Sequence, residues 1–141
     1  MTNIEPIKIE PDSGWLKNTY LKFLGRCGYL SIFEGYKFTM RFNQNLEDID
    51  EGKDFVEFIG MNMSSVIGYK KERVKDGKNI EFFVKFLLPL DDFNFRVISR
   101  NNTPIYKSKI PLKFTTLFTP NNVILMIFMT IISTLISMVM N

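Results

Sequence analysis

Apolar and polar residues alternate along much of this chain. In "GYKFTMRFN", Tyr36, Phe38, Met40 and Phe42 fall on one side of an extended backbone, and Lys37, Thr39 and Arg41 fall on the other. That period of two predicts a half-buried β-strand. In "NIEFFVKFLLP", Ile80, Phe82, Val84 and Phe86 share one side, with Phe83, Leu87 and the aliphatic stem of Lys85 opposite. Both sides are partly apolar, which predicts a central strand. Between these runs, "VKDGKN" carries Asp76-Gly77, a two-residue hairpin signal. "DFVEFIG", "SSVIGYKKERV", "FNFRVIS" and "PIYKSKI" extend the β-rich character, the last two around an "RNNTP" turn. One stretch has a different period. Trp15, Leu16, Thr19, Tyr20, Phe23 and Leu24 recur at helical spacing, with Asp12 or Ser13 as cap and Gly25 as stop. The predicted fold is mainly β, a small antiparallel sandwich or half-barrel, with one short N-terminal helix.

The end of the chain breaks both patterns. From Val123 to Met140 there is no charge, no Gly and no Pro. Such a run is long enough for a transmembrane helix, about 27 Å at about 1.5 Å per residue. That length suits a thinner bilayer such as the endoplasmic reticulum, which is continuous with the nuclear envelope. "TPNN" reads as the helix start, with Asn121 or Asn122 as cap. The expected division is an extension over 1–11, a β-rich soluble domain over 12–110 with its helix near 14–25, a basic juxtamembrane linker over 111–122 and the anchor over 123–140.

Charge gives the anchor a direction. The net charge is only +3, but no acidic side chain follows Asp92, whereas Arg96, Arg100, Lys107, Lys109 and Lys113 do. Basic residues before the span and none after it place the N-terminal domain in cytosol or nucleoplasm. The start, "MTNIEPIKIEPDSG", lacks the basic opening and apolar run of a signal peptide. The expected layout is therefore a tail-anchored membrane protein. One cysteine, Cys27, permits no intrachain disulfide, which fits a reducing compartment; in its Gly-flanked turn it reads as a small packing residue.

There is no histidine, which removes the usual general base and the commonest metal ligand. No phosphate-cradling glycine motif occurs. The chain is expected not to be an enzyme and to need no cofactor.

Two surfaces draw attention. The hairpin "YKKERVKDGK" gathers Lys70, Lys71, Arg73, Lys75 and Lys78 beside Tyr69, a basic and aromatic combination suited to nucleic acid or anionic lipid. A solvated tip with edge-protecting lysines is the plainer reading. Lys107, Lys109 and Lys113, nearer the anchor, join the candidate set. The acidic run "NLEDIDEGKDFVE" suits either a basic partner or open solvent. Within the span, Thr130, Ser133, Thr134 and Ser137 share a helical face. They suit helix–helix contact in lipid, or bonds to their own helix's carbonyls.

The run "FEGYKFTMRFNQNLEDIDEGKDFVE" resembles the start of the membrane-anchored junction protein family, with an aromatic-Lys-aromatic strand, a basic-aromatic ending and an acidic loop. "YKKERV" and "IEFFVKFLLPLDDFNFRVI" are similar to that family's middle strands. The resemblance spans about Phe33 to Ser99 plus the tail. It implies a β-rich domain that holds a telomere-bridging partner in meiosis, and a C-terminal anchor in the inner nuclear membrane. Basic residues help to hold DNA in that family. Here the stretch between sheet and anchor is short where the family has a long polar linker, which favours a protein partner over DNA.

The expected function is a membrane tether whose domain binds a protein, at the inner nuclear membrane or else the endoplasmic reticulum. The alternative, from another class, is a viral or organelle membrane structural protein that self-associates through its span.

Overall fold

The computed structural model describes residues 7–42, 46–47, 49–60 and 67–141, with backbone only for 67–71. Among the described residues, two antiparallel sheets face each other as a sandwich. The first has the order β1 (Lys8–Pro11), β3 (Gly35–Arg41), β6 (Asn79–Phe86), β5 (Ile67–Lys75). The second has the order β4 (Val56–Phe58), β7 (Asp92–Ile98), β8 (Pro104–Pro111). A short parallel pair, β2 (Leu30–Ser31) with β9 (Phe114–Thr115), closes one end. Helix α1 (Trp15–Arg26) packs beside that end, and α2 (Pro120–Met140) leaves from it.

The two-residue period decides the core. Tyr36, Phe38, Met40 and Phe42 on β3 and its continuation, with Ile80, Phe82, Val84 and Phe86 on β6, are buried together. Facing them from β7 are Phe93, Phe95 and Val97. Phe82 lies against Phe38 with ring centroids 4.9 Å apart, and meets Phe95 edge-on at 5.1 Å across the sandwich. Phe93 touches Phe38 and Phe86, each at 5.3 Å. Tilted and edge-to-face pairs at these separations let flat rings fill a layer about 10 Å thick.

A carboxylate stitches the two sheets on one side. Glu72 of β5 accepts hydrogen bonds from the backbone N–H groups of Phe55 (2.8 Å) and Val56 (3.0 Å), at the start of β4. Two amides that would otherwise lack ladder partners there are thereby satisfied.

Tyr36 is a second polar anchor. Its buried hydroxyl accepts from the Ser31 N–H at 2.8 Å. Burial pushes this phenol up to about 12; the Ser31 bond pulls it down, and the nearby Glu34 charge adds to the rise. Unfolded, it ionises near 10. The folded state thus holds the proton more tightly between those values. Stability is full below about pH 10 and falls as pH rises from about 10 towards 12. Urea melts across that window are expected to show the fall, and a Tyr36→Phe variant is expected to flatten it.

Several boundaries differ from those read in the sequence. Lys8–Pro11 belongs to the sandwich rather than to an extension, since it pairs antiparallel with β3 from Lys8↔Thr39 to Pro11↔Tyr36. The stretch 111–122 is not a free linker. It contains β9, and Lys113 accepts the Leu30 N–H through its carbonyl oxygen at 2.8 Å. Lys107 and Lys109 sit within β8. The loop between paired Lys75 and Asn79 is three residues, with positive φ at Asp76 and Gly77. Helix α1 starts after Gly14, which makes no side-chain cap bond. Asn18 instead turns back to accept the Ser13 N–H at 2.9 Å. The helix continues past Gly25, and the positive-φ residue that follows it is Gly28.

Candidate functional site

The chain offers two places where sequence and fold concentrate unusual chemistry: the apolar helix α2, and the outer face of the four-stranded sheet.

Helix α2 begins at Pro120, three residues before the uncharged run. Thr119, not Asn121 or Asn122, is its cap: the Thr119 hydroxyl accepts the Asn122 N–H at 3.3 Å. Proline suits the first turn because its missing N–H has no intrahelical partner there. The Asn122 side chain turns back and donates to the carbonyls of Thr116 (3.3 Å) and Leu117 (3.0 Å). The Tyr20 hydroxyl donates to the Phe118 carbonyl at 2.7 Å, so α1 also grips the helix entry. Beyond Pro120 the helix leaves the sandwich. Its most apolar stretch is entirely unburied, and it is long and apolar enough to cross a membrane. Twenty-one residues give about 31 Å, close to a hydrocarbon core of about 30 Å.

Of the candidate contact residues in this helix, Thr130 and Thr134 have hydroxyls directed into their own backbone. They donate to the carbonyls of Met126 (2.8 Å) and Thr130 (2.9 Å). In lipid such bonds satisfy the hydroxyl without a second helix. Ser133 and Ser137 lie on the same side by helical spacing.

The second place is assembled from four strands. The alternation that buries Phe38 and Met40 turns Lys37 and Arg41 outward. Antiparallel register sets Lys37 opposite Phe83, Thr39 opposite Glu81 and Arg41 opposite Asn79. From the other side, β5 sets Arg73 opposite Glu81 and Lys75 opposite Asn79. With Lys8 from β1 and Lys85 from β6, the described side chains on this face include six cations against Glu10 and Glu81, with a third carboxylate, Asp76, at the hairpin end. A shallow concavity of about 370 Å³ opens here, bordered by the cations Lys8, Lys37, Arg41 and Lys75 and by the carboxylates Glu10, Asp76 and Glu81.

Glu10 and Glu81 are shared among these cations. Glu81 is nearly buried, and one of its oxygens accepts from Arg73 Nε and Nη2, both at 2.7 Å. Its other oxygen lies 4.0 Å from Lys75 Nζ. Arg73 also stands over the Phe83 ring, 5.8 Å from its centre. Glu10 pairs with Lys8 (2.9 Å) and Lys37 (3.3 Å). The Lys8 bond, outweighing burial and aided by Lys37, holds the Glu10 carboxyl below its ordinary range. Glu10 and Glu81 are thus engaged, and six cations against three carboxylates leave the face with an excess of positive charge suited to an anionic ligand.

The predicted basic residues therefore divide. Arg73 and Lys75 belong to this face. Lys78 sits at the hairpin tip, where its carbonyl accepts the Phe42 N–H at 2.9 Å. Lys70 and Lys71 lie on the β5 backbone, and their side chains are outside the described residues. Lys107 and Lys109 project from the other sheet, where Lys109 pairs with Asp92 at 3.4 Å. Lys8, Lys37, Arg41 and Lys85 were not among the predicted residues. The signal was present in the alternation of β3, but joining it to Arg73 and Lys75 required the pairing across β6.

The acidic run is only partly a solvent loop. Ile49 and Phe55 are buried in the core, while Asn45 and Asp48 lie outside the described residues.

The hairpin tip and α2 belong to opposite ends of the first sheet. Phe86, at one end of β6, contacts Phe114 of β9 at 5.0 Å. Asn79, at the other end, adjoins the tip. Eight residues at about 3.3 Å each separate these ends by roughly 23 Å.

Comparison with protein-family models, with curated proteins and with solved structures returns no match for this chain.

Proposed function

We propose that this chain is a single-span membrane tether: α2 crosses the bilayer, and the sandwich stands in cytosol or nucleoplasm and holds an acidic protein partner on its basic sheet face. The observation that carries this reading is α2 itself. A helix of this apolarity with none of its apolar stretch buried against its own domain needs another apolar phase to cover it. Lys22, Arg26 and Lys113, near its entry, favour the cytosolic side for the sandwich.

The basic face supports the second half. Arg41 and Lys75 are at the end of the sheet away from the span, so this part of the face is poorly placed for the headgroups of the membrane that α2 enters. In its specific form the membrane is the inner nuclear envelope, and the partner bridges meiotic chromosome ends. That form rests on the resemblance of Phe33 to Ser99 to the membrane-anchored junction proteins.

Proximity labelling from the N-terminus of the full chain tests the reading. The expected result is an acidic protein labelled at the membrane by the wild type and lost in an Arg41→Gln/Lys75→Gln variant. In a binding assay with the full chain in neutral nanodiscs and a polyglutamate probe, the same variant is expected to bind roughly three- to tenfold more weakly, with a smaller salt dependence. Unchanged binding removes this face from the account. Stronger binding to duplex DNA than to polyglutamate would assign the face to nucleic acid instead.

A further inference from the structure

The end of the sandwich that carries α2 also carries an apolar surface with nothing over it among the described residues. On α1, Leu21 and Leu24 are buried, whereas Trp15 is 81% exposed, Leu16 65% and Phe23 58%. At 3.6 residues per turn, Trp15, Thr19, Phe23 and Leu16 share about a third of the helix circumference. This stripe adjoins the core-facing side at Tyr20; Lys22 borders it on the other side, and Arg26 falls within its arc at the C-terminal end of the helix. The helix therefore has two apolar sides, of which the sandwich uses one.

The structure says where the unused side is. The Tyr20 hydroxyl, on the same helix, bonds the Phe118 carbonyl at 2.7 Å, one residue before the cap of α2. Only four residues separate β9 from α2, at most about 14 Å if fully extended. The Asn122 bonds to Thr116 and Leu117 shorten that reach further. The domain is thus held against the point where the uncharged run begins. Leu117, Phe118 and Tyr29 are exposed around the same junction. With Leu24 and Phe114 they border an apolar groove of about 380 Å³.

We infer that α1 lies in the plane of the membrane interface, with Trp15, Leu16 and Phe23 seated at the headgroup–acyl boundary of the bilayer that α2 enters. This rests on the reading of α2 as a membrane span. A helix with an apolar stripe, basic residues beside it and a tryptophan suits that depth, because the Trp15 indole is amphipathic, the Leu16 and Phe23 side chains are apolar and the Lys and Arg heads reach lipid phosphates. Phe118 and Leu117 continue the seat from α1 to the span. The consequence is an oriented domain: α1 and α2 together hold the sandwich at a fixed attitude, which a single flexible tether would not do.

Trp15 is the chain's one tryptophan, which makes its fluorescence a direct reporter. The full chain is reconstituted into phosphatidylcholine–phosphatidylserine liposomes, and retention after alkaline carbonate washing is measured on the same sample. Trp15 emission is expected to shift to the blue and to lose access to aqueous acrylamide. It is also expected to be quenched more by lipids brominated near the headgroup than near the acyl end. A Leu16→Glu/Phe23→Glu variant should restore acrylamide access. Its thermal melt should match wild type, because both side chains already lie outside the core. Retained protein whose Trp15 stays open to acrylamide overturns the interfacial helix alone. Trp15 shielded from acrylamide yet untouched by brominated lipid also overturns it, and assigns the stripe to another protein surface. Loss of the protein in the carbonate wash overturns the span and this inference together.

Discussion

Replacing Phe82 with alanine is expected to destabilise the sandwich by about 3–5 kcal/mol, the range for removing a fully buried aromatic ring from a core. Phe82 belongs at the upper end. It is wholly buried on β6, the central strand between β3 and β5. Its ring stacks on Phe38 within its own sheet and meets Phe58 (6.0 Å), Phe93 (6.2 Å) and Phe95 (5.1 Å) of the facing sheet. Those neighbours are held by strand ladders and by one another, so the cavity cannot close by a small shift. The loss is a large part of the total stability of a domain of this size. Denaturant melts of the wild type and the variant check it. A change below about 1 kcal/mol would mean that the two sheets are not packed through this ring.

The other large effect concerns α2. Changing Ile131 and Leu135 together to lysine is expected to abolish membrane insertion. The ten Val, Ile, Leu and Phe residues from Val123 to Met140 favour insertion by about 3–6 kcal/mol in total. Two lysines near the centre oppose it by about 5–7 kcal/mol, and two of the favourable residues are lost with them. The balance therefore changes sign. Both side chains project away from the sandwich, so the domain should melt as before. Fractionation into membrane and soluble pools reads the result directly. A variant that remains in the membrane pool would show that α2 is not what holds the chain there.

Much of the fold was legible because burial on one side of a strand writes a period of two into the sequence. Residues 36–42 and 80–86 carry it without interruption, and both form the strands they predict. Asp76-Gly77 marked the hairpin between β5 and β6. What stayed hidden was non-local or short. β1 is a four-residue edge strand ending at Pro11, too brief to show a period. β2 and β9 are two residues each and meet across more than eighty residues of chain. Helix α1 was located correctly, but its apolar residues do not say which side the core takes. The spacing of Trp15, Leu16 and Phe23 is as regular as that of a core face, yet Leu21 and Leu24 are the residues buried.

The candidate site was legible in part for the same reason. Reading charge along the chain grouped Arg73 and Lys75 with their sequence neighbours, and Lys107 with Lys109 and Lys113. Register regroups them. Arg73 and Lys75 join Lys37 and Arg41 across β6, while Lys107 and Lys109 fall on the opposite sheet. Helix α2 needed no register, since eighteen uncharged residues declare themselves in any context.

The central claim is that α2 spans a membrane with the sandwich on its cytosolic side. The most direct measurement places an N-glycosylation sequon on a short tag after Asn141 of the full chain and inserts the protein into microsomes. The expected result is a glycosylated tag, resistance to alkaline carbonate and digestion of the sandwich by protease added outside. An unmodified tag, a chain released by carbonate, or a sandwich protected from protease would contradict it.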